Sequence, residues 1–269
     1  MNALLVPAII LGAVQGLTEF LPVSSTAHLA VIPRLLGWDN PLLNSLTFDV
    51  ALHGGTLIAL LLVVGGDWVR IAPALLKPRS SAGKFAWGLL IAVIPAGLAG
   101  LALEDAVSST MRGTIYVAFF LSAGALLLWR ADSRSRGSIK AEKTGIGRAL
   151  AIGGAQALAI LPGLSRSGIT ITAGLMLGLS RREAARYSFL LSTPLLAVAT
   201  AWEMRHVPTI PSGDLAPMLA GSLSAALVGI LTLRWMFNLV NRTGYRAFAI
   251  YRLILAVSLV LWAFFTGAP

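Results

Sequence analysis

Long apolar stretches separated by short polar links dominate the chain. Crossing a hydrocarbon core of about 30 Å takes about 20 helical residues. Six stretches are long enough, at residues 44–65, 84–103, 113–130, 186–204, 215–236 and 247–266. The pattern therefore predicts an all-α polytopic membrane protein with six transmembrane helices.

Two further apolar regions, 1–37 and 145–180, are each interrupted by a loop rich in proline and serine. Their arms have only about 10–15 residues, too short to cross a bilayer at about 1.5 Å per residue. Irregular backbone is tolerated at membrane depth only where protein or a polar cavity satisfies it. We therefore expect two re-entrant helix-loop-helix hairpins.

Each half of the chain then has the same order, one hairpin followed by three spans. Because three is odd, the second half enters the membrane with the opposite orientation, which is typical of an inverted-topology repeat with its site between the halves. We expect a single membrane domain over residues 1–269. Its parts are repeat 1 at 1–131, a cytoplasmic linker at 132–144 and repeat 2 at 145–269.

The composition agrees with a membrane protein, since 57% of the residues are hydrophobic and 12% are charged. A net charge of +10 could indicate nucleic-acid binding. The basic residues, however, lie in short links between apolar runs, and no basic surface interleaved with aromatic residues remains. We therefore expect no nucleic-acid partner. The absence of cysteine excludes disulfides and thiolate metal sites.

The basic residues orient the chain in the membrane. When the links are assigned alternately to two sides, one side receives 17 of the 21 Lys and Arg residues, including Arg252. The other side receives Arg34, Arg112 and Arg205, while Arg166 lies in the second loop. By the positive-inside rule the basic side is cytoplasmic and both termini are outside. The first hairpin then enters from outside and the second from the cytoplasm.

The first interrupted region carries ionisable and hydroxyl groups in a sequence otherwise suited to lipid, where such groups are usually functional. Residues 12–28 read GAVQGLTEFLPVSSTAH. Gln15 and Glu19 share a helix face. Ser24 or Ser25 can cap the second arm, whose first turn then includes His28. A helix N-terminus beside a hydroxyl is an anion site.

The second interrupted region, residues 154–170, reads GAQALAILPGLSRSGIT and shares the pattern Leu-Pro-x-x-Ser with the first. Gly163 and Gly168 relax its backbone, and Arg166 offers a planar fork suited to phosphate oxygens. Its hydroxyls belong to Ser165, Ser167 and Thr170. We expect the two loops to meet and form one site.

The charges in the two loops suggest a metal. A diphosphate carries about −3, whereas Arg166, two helix N-termini and Glu19 together give about +1. This imbalance favours a divalent cation, Mg²⁺ or Ca²⁺, held by Glu19 and Gln15. An isolated ion pair would explain Glu19 and Arg166, but not the proline and serine repeated in both loops. His53 is expected either to make an ordinary helix contact or to support the site indirectly, and His206 to be solvated.

These residues resemble the two signature motifs of the undecaprenyl-diphosphate phosphatase family, bacterial membrane enzymes associated with bacitracin resistance. The first motif falls on Gln15, Glu19, residues 21–25 and His28, and the second on PGLSRSGIT, residues 162–170. Ala27 departs from the glycine common in the family, without loss of a reacting group. The resemblance covers the whole chain.

The resemblance implies hydrolysis of undecaprenyl diphosphate to undecaprenyl phosphate and inorganic phosphate, which recycles the lipid carrier for cell-wall synthesis. It also implies a divalent cation, the bacterial cytoplasmic (inner) membrane, a site open to the outer, periplasmic face, and a homodimer as one arrangement. The rival hypothesis is a polyprenyl-phosphate flippase, because inverted repeats with broken helices are typical of transporters.

For the reaction we expect Ser25 as nucleophile and His28 as general base and then acid. A metal-bound water attacking directly is the alternative. The terminal phosphate is expected to contact Arg166 together with the substrate-binding residues Ser24, Gly163, Ser165, Ser167 and Thr170.

Overall fold

The computed structural model describes residues 3–38, 40–111, 113–203 and 210–266. Arg112, Arg205 and His206 lie outside the described residues. Within these ranges the chain forms ten α-helices, α1 Leu5–Thr18, α2 Ser25–Leu35, α3 Leu46–Ile71, α4 Ser81–Thr110, α5 Thr114–Arg134, α6 Ile146–Ala157, α7 Arg166–Met176, α8 Arg181–Glu203, α9 Ser212–Thr243 and α10 Arg246–Thr266.

Helices α3, α4, α5, α9 and α10 are long and apolar enough to cross a membrane. The prediction of an all-helical membrane protein is thereby confirmed. The predicted span 186–204 is also helical, as part of α8, but α8 is less apolar and is not one of these five. Its polar Ser188 and Ser192 are buried, so they face protein rather than lipid. The sixth crossing stays a prediction.

Both interrupted regions are helix-loop-helix elements. Helices α1 and α2 are joined by residues 19–24, while a 3-10 turn at Leu158–Ile160 and the following loop join α6 to α7. Helix α1 has 14 residues and α6 has 12. The broken arms predicted from the sequence are thus confirmed, and their re-entrant position in the bilayer stays a prediction.

The two halves of the chain pack reciprocally. Helix α1 lies along α9, its counterpart α6 lies along α4, and α5 pairs with α10. Two glycines one turn apart allow the close approach of α1 to α9. A Cβ on Gly12 would overlap the carbonyl oxygen of Gly221, and one on Gly16 would lie 2.5 Å from that of Ala225. Small residues spaced four apart are typical of tight helix pairs in membranes.

Charged residues tie the ends of several helices together. Asp132 at the end of α5 accepts from Arg181 Nε at 2.6 Å and from the Tyr245 amide at 3.1 Å, which links α8 and the start of α10. Arg186 of α8 donates to both carboxylate oxygens of Asp67 on α3, each at 2.9 Å. It also pairs with Glu142 in the segment between the halves.

Candidate active site

Each loop ends on a serine with an unusual backbone. Ser24 has φ 74° and Ser165 has φ 69°, and they are the only non-glycine residues with positive φ in the described part of the chain. They are the N-caps of α2 and α7. Such conformations are strained and often occur at functional sites.

Aligning the two loops by their structure shifts the correspondence by one residue from the alignment by sequence. The shared Leu-Pro-x-x-Ser pattern aligns Ser25 with Ser165, whereas the N-caps align Ser24 with Ser165. The second loop has one more residue between its proline and its cap. Ser25 therefore corresponds to Arg166, the first helical residue of α7.

Glu19 lies at the centre of the site and is only 6% exposed. Its Oε1 accepts from Arg166 Nη2 at 2.6 Å, across 147 positions of sequence. Its Oε2 accepts from Ser25 Oγ at 2.6 Å and from Gln15 Nε2 at 3.1 Å. His53 Nε2 lies 3.6 Å from the same oxygen. One carboxylate thus joins an amide of α1, a hydroxyl of α2 and an arginine of α7.

His28 makes different contacts from those expected of a base for Ser25. Its Nδ1 lies 2.7 Å from the Ser24 carbonyl oxygen and its Nε2 lies 2.7 Å from the Tyr251 hydroxyl. Since a carbonyl can only accept, Nδ1 carries a proton, and Nε2 of the neutral ring accepts from the tyrosine. The structure therefore places Glu19 beside Ser25, and His28 holds the strained turn to α10.

The second loop contributes hydroxyls and a contact to the first loop. Ser165 Oγ accepts from the Gly168 amide at 3.1 Å, which caps α7. Ser167 Oγ lies 3.3 Å from Ser165 Oγ and donates to the carbonyl oxygen of Leu21 at 3.1 Å. The two broken elements therefore meet through this hydrogen bond from a side chain to the backbone as well as through the ion pair, as the sequence predicts.

Thr170 and Gly163 support the loop from behind. Thr170 Oγ1 donates to the Arg166 carbonyl oxygen at 2.8 Å and lies 2.7 Å from Ser188 Oγ, so it points towards α8. Gly163 has φ +97°, and a Cβ there would lie 2.5 Å from the Val117 carbonyl oxygen. Both residues shape the loop.

Sequence reasoning assigned Arg252 to the cytoplasmic links, and that assignment is wrong. Arg252 is fully buried, and its Nη2 donates to the carbonyl oxygens of Gly163 and Leu164 at 3.1 and 2.8 Å. It therefore fixes the second loop from α10. The signal was its position inside the apolar stretch 247–266, where a charged residue is by default functional.

A cavity of about 320 Å³ lies over Glu19, Ser25 and Arg166. Ser24, Ser165 and Ser167 also line its polar side. An apolar wall is formed by α4, α8 and the 3-10 turn after α6, with Ala96, Gly100, Ala159, Ile160, Leu195, Leu196 and Ala199. The cavity therefore offers a polar end and an apolar wall, a combination that fits an amphiphile.

Two oxygen-bearing side chains at the polar end suit a hard divalent cation. Gln15 Oε1 is buried and has no hydrogen-bond partner among the described atoms. Beside it lies the carboxylate of Glu19. No group of three or more His, Cys, Asp or Glu residues that could hold a metal occurs in the described ranges. These oxygens therefore fit Mg²⁺ of the kind held by one carboxylate together with substrate phosphates and water.

Comparisons with known proteins identify the family of the chain. Residues 8–258 match the family described as "Bacitracin resistance protein BacA". The chain is 39% identical to the undecaprenyl-diphosphatase of Caldicellulosiruptor bescii over 264 residues, 96% of each chain. It is 43% identical to that of Rubrobacter xylanophilus over 261 residues, 94% of this chain and 96% of the relative. The chain therefore belongs to the BacA family of bacitracin resistance proteins.

Proposed function

We propose that the chain hydrolyses undecaprenyl diphosphate to undecaprenyl phosphate and inorganic phosphate. The observation that carries this proposal is the meeting of a hydroxyl, a carboxylate and a guanidinium at Glu19, beside a cavity with one apolar wall. The relatives' name, undecaprenyl-diphosphatase, supplies the substrate. The reaction regenerates the lipid carrier for cell-wall synthesis and confers bacitracin resistance.

Arg166 holds the terminal phosphate. Its Nη2 is engaged by Glu19, whereas its Nη1 is buried and unpartnered among the described residues. Nη1 donates to a phosphate oxygen and stabilises the charge that develops during transfer. The hydroxyls of Ser24, Ser165 and Ser167 line the same polar end and complete the phosphate contacts.

Ser25 attacks the terminal phosphorus through Oγ, and its proton passes to Glu19 Oε2, 2.6 Å away. The bond from that phosphorus to the bridging oxygen breaks, and undecaprenyl phosphate leaves with the electron pair and takes the proton from Glu19. Water then attacks the phosphoserine and gives a proton to Glu19. Glu19 passes it to Oγ as inorganic phosphate forms.

Direct attack by water is the competing mechanism, with Ser25 serving as a donor to phosphate. Rapid acid quench of enzyme mixed with labelled prenyl diphosphate distinguishes the two, since only the first forms phosphoserine. We expect Ser25→Ala to lose turnover by at least about 10²-fold. Near-normal turnover of this variant would eliminate the covalent route.

Glu19 and Gln15 would hold a divalent cation, Mg²⁺ or Ca²⁺, through one carboxylate and the free amide oxygen. When bound, the cation neutralises phosphate charge and polarises the phosphoryl oxygens. The protein's own part is to keep Glu19 oriented through Gln15 and Arg166.

The apolar wall accommodates the prenyl chain, and the protein works in the cytoplasmic membrane. In this proposal six spans and two re-entrant hairpins form an inverted repeat with both termini outside, and the site opens to the outer face. The concentration of Lys and Arg in the links of one side supports this orientation. A homodimer is compatible with it.

The test measures phosphate release by the purified full chain from C15 and C55 prenyl diphosphates, with and without chelator. Glu19→Ala and Arg166→Ala are expected to lose at least about 10²-fold in turnover. Glu142→Gln removes a carboxylate that does not line the cavity and is the matched control. No release by the parent, together with transfer of a labelled lipid phosphate across proteoliposomes, would instead establish the flippase. Unchanged release by the Glu19 and Arg166 variants would refute the site.

A further inference from the structure

The apolar wall of the cavity contains one polar side chain. Helices α4 and α8 and residues 156–160 contribute only alanine, glycine, leucine and isoleucine among the described lining residues, apart from Gln156. Gln156 lies on the last turn of α6. A polar group in such a wall faces either protein partners or a ligand.

Gln156 has no protein partner in the described chain. It is 1% exposed, and neither its Nε2 nor its Oε1 makes a hydrogen bond. Buried amide groups are nearly always paired, because an unpaired donor or acceptor loses its water without compensation. Gln15 provides the contrast, since it is equally buried but donates to Glu19. Gln156 therefore lacks a structural role that explains its polarity.

The free donor and acceptor of Gln156 match the chemistry of a phosphate. A phosphate oxygen accepts from Nε2, and a water molecule or a protonated phosphate oxygen donates to Oε1. A cation would engage only Oε1 and leave Nε2 unpaired. The terminal phosphate belongs to Arg166 and the serines at the polar end, whereas Gln156 lies in the wall assigned to the prenyl chain.

We infer that Gln156 binds the phosphate attached to the prenyl chain, donating to it through Nε2. This inference rests on the proposed function, since it assigns one phosphate of that substrate. It makes Gln156 a determinant of head-group recognition, and the residue contacts the product, a prenyl phosphate, as well as the diphosphate.

The test measures binding to the purified full chain, so that it does not depend on turnover. The probes are a C15 prenyl methylene-diphosphonate, which cannot be hydrolysed at the bridge, and C15 prenyl phosphate. Gln156→Met removes both polar atoms at similar volume, and Gln156→Glu keeps an oxygen but removes the donor. Asn238→Leu, which deletes an exposed amide on α9, is the control.

Both Gln156 variants are expected to bind both probes about 10- to 100-fold more weakly, the loss typical of a hydrogen bond to a charged group. Without ligand, Gln156→Met should melt at or above the temperature of the parent, because it removes an unpaired buried amide. A variant that melts lower and binds normally would overturn the inference. Normal binding by Gln156→Glu with a lower metal requirement would also overturn it, in favour of a metal ligand. Weakened binding of the diphosphonate alone would overturn the assignment to the lipid-linked phosphate.

The outcomes also separate this inference from the proposed function. A parent protein that binds the diphosphonate through Gln156 but releases no phosphate from prenyl diphosphate would refute the phosphatase and leave the inference standing. A parent that hydrolyses the substrate while both Gln156 variants bind like the parent would do the reverse. A parent that binds neither probe would refute the inference.

Discussion

The ion pair between Glu19 and Arg166 should hold the two loops together, and a double-mutant cycle measures this. The Glu19 carboxylate is 6% exposed and lies 2.6 Å from Arg166 Nη2. Two unit charges about 4 Å apart attract by about 4 kcal/mol at an effective dielectric constant of about 20. Removing one partner of a buried pair costs about 3–5 kcal/mol, because the other charge is left uncompensated.

The cycle consists of Glu19→Gln, Arg166→Met and the double variant. Their unfolding free energies can be measured from tryptophan fluorescence as the mole fraction of SDS in mixed micelles increases. Each single variant is expected to lose about 3–5 kcal/mol, and the double variant to lose less than either. Glu142→Gln is the control, since Glu142 is 47% exposed and a surface pair contributes about 0–1 kcal/mol. If the double variant loses the sum of the two single losses, the loops are held by other contacts.

Three further predictions concern packing, loop position and pH. Gly12→Val should lower the melting temperature through a loss of about 1–3 kcal/mol, because its side chain would overlap the backbone of Gly221. Arg252→Met should reduce kcat at least about 10-fold with little change in KM, since Arg252 positions the loop rather than the substrate. The kcat of Arg252→Lys should lie between that of Arg252→Met and that of the parent. Burial alone would raise the pKa of Glu142, but the hydrogen bond and charge of Arg186 hold this pKa below the ordinary value of a glutamate. The pair should therefore contribute its full stability above about pH 4.3, where an unpaired glutamate is ionised, and lose this contribution as the pH falls further. In acid-unfolding profiles, Glu142→Gln should lack this part of the pH dependence.

Much of the helical architecture is predictable because hydropathy reports which segments avoid water. The five long apolar helices and both broken elements follow from it. Helix α8 shows its limit, since Ser188 and Ser192 are buried against protein and lower the hydropathy of a segment inside the bundle. A scale based on lipid transfer does not distinguish burial against protein from exposure to water.

The contact between Glu19 and Arg166 can also be predicted from the sequence, because isolated charges in apolar segments need partners. The hydrogen-bond partner of Ser25 cannot be predicted in this way, because the direction of a side chain at the start of a helix depends on the strained turn before it. Spacing put His28 one turn away, yet the imidazole reaches Tyr251 on α10. Gln156 was missed because a sequence shows neither that its buried amide lacks a hydrogen-bond partner nor that it lines the cavity.

The reciprocal packing of the two halves has a consequence for the order of synthesis. Helix α1 emerges first, but its partner α9 is among the last segments made. Glu19 likewise meets Arg166 only after 147 further residues, which at about 5–20 residues per second takes about 7–30 s. Throughout that interval the carboxylate has no arginine partner. The amino-terminal hairpin can therefore reach its final position only late in biogenesis, and translation arrested before α9 would leave it without its packing surface.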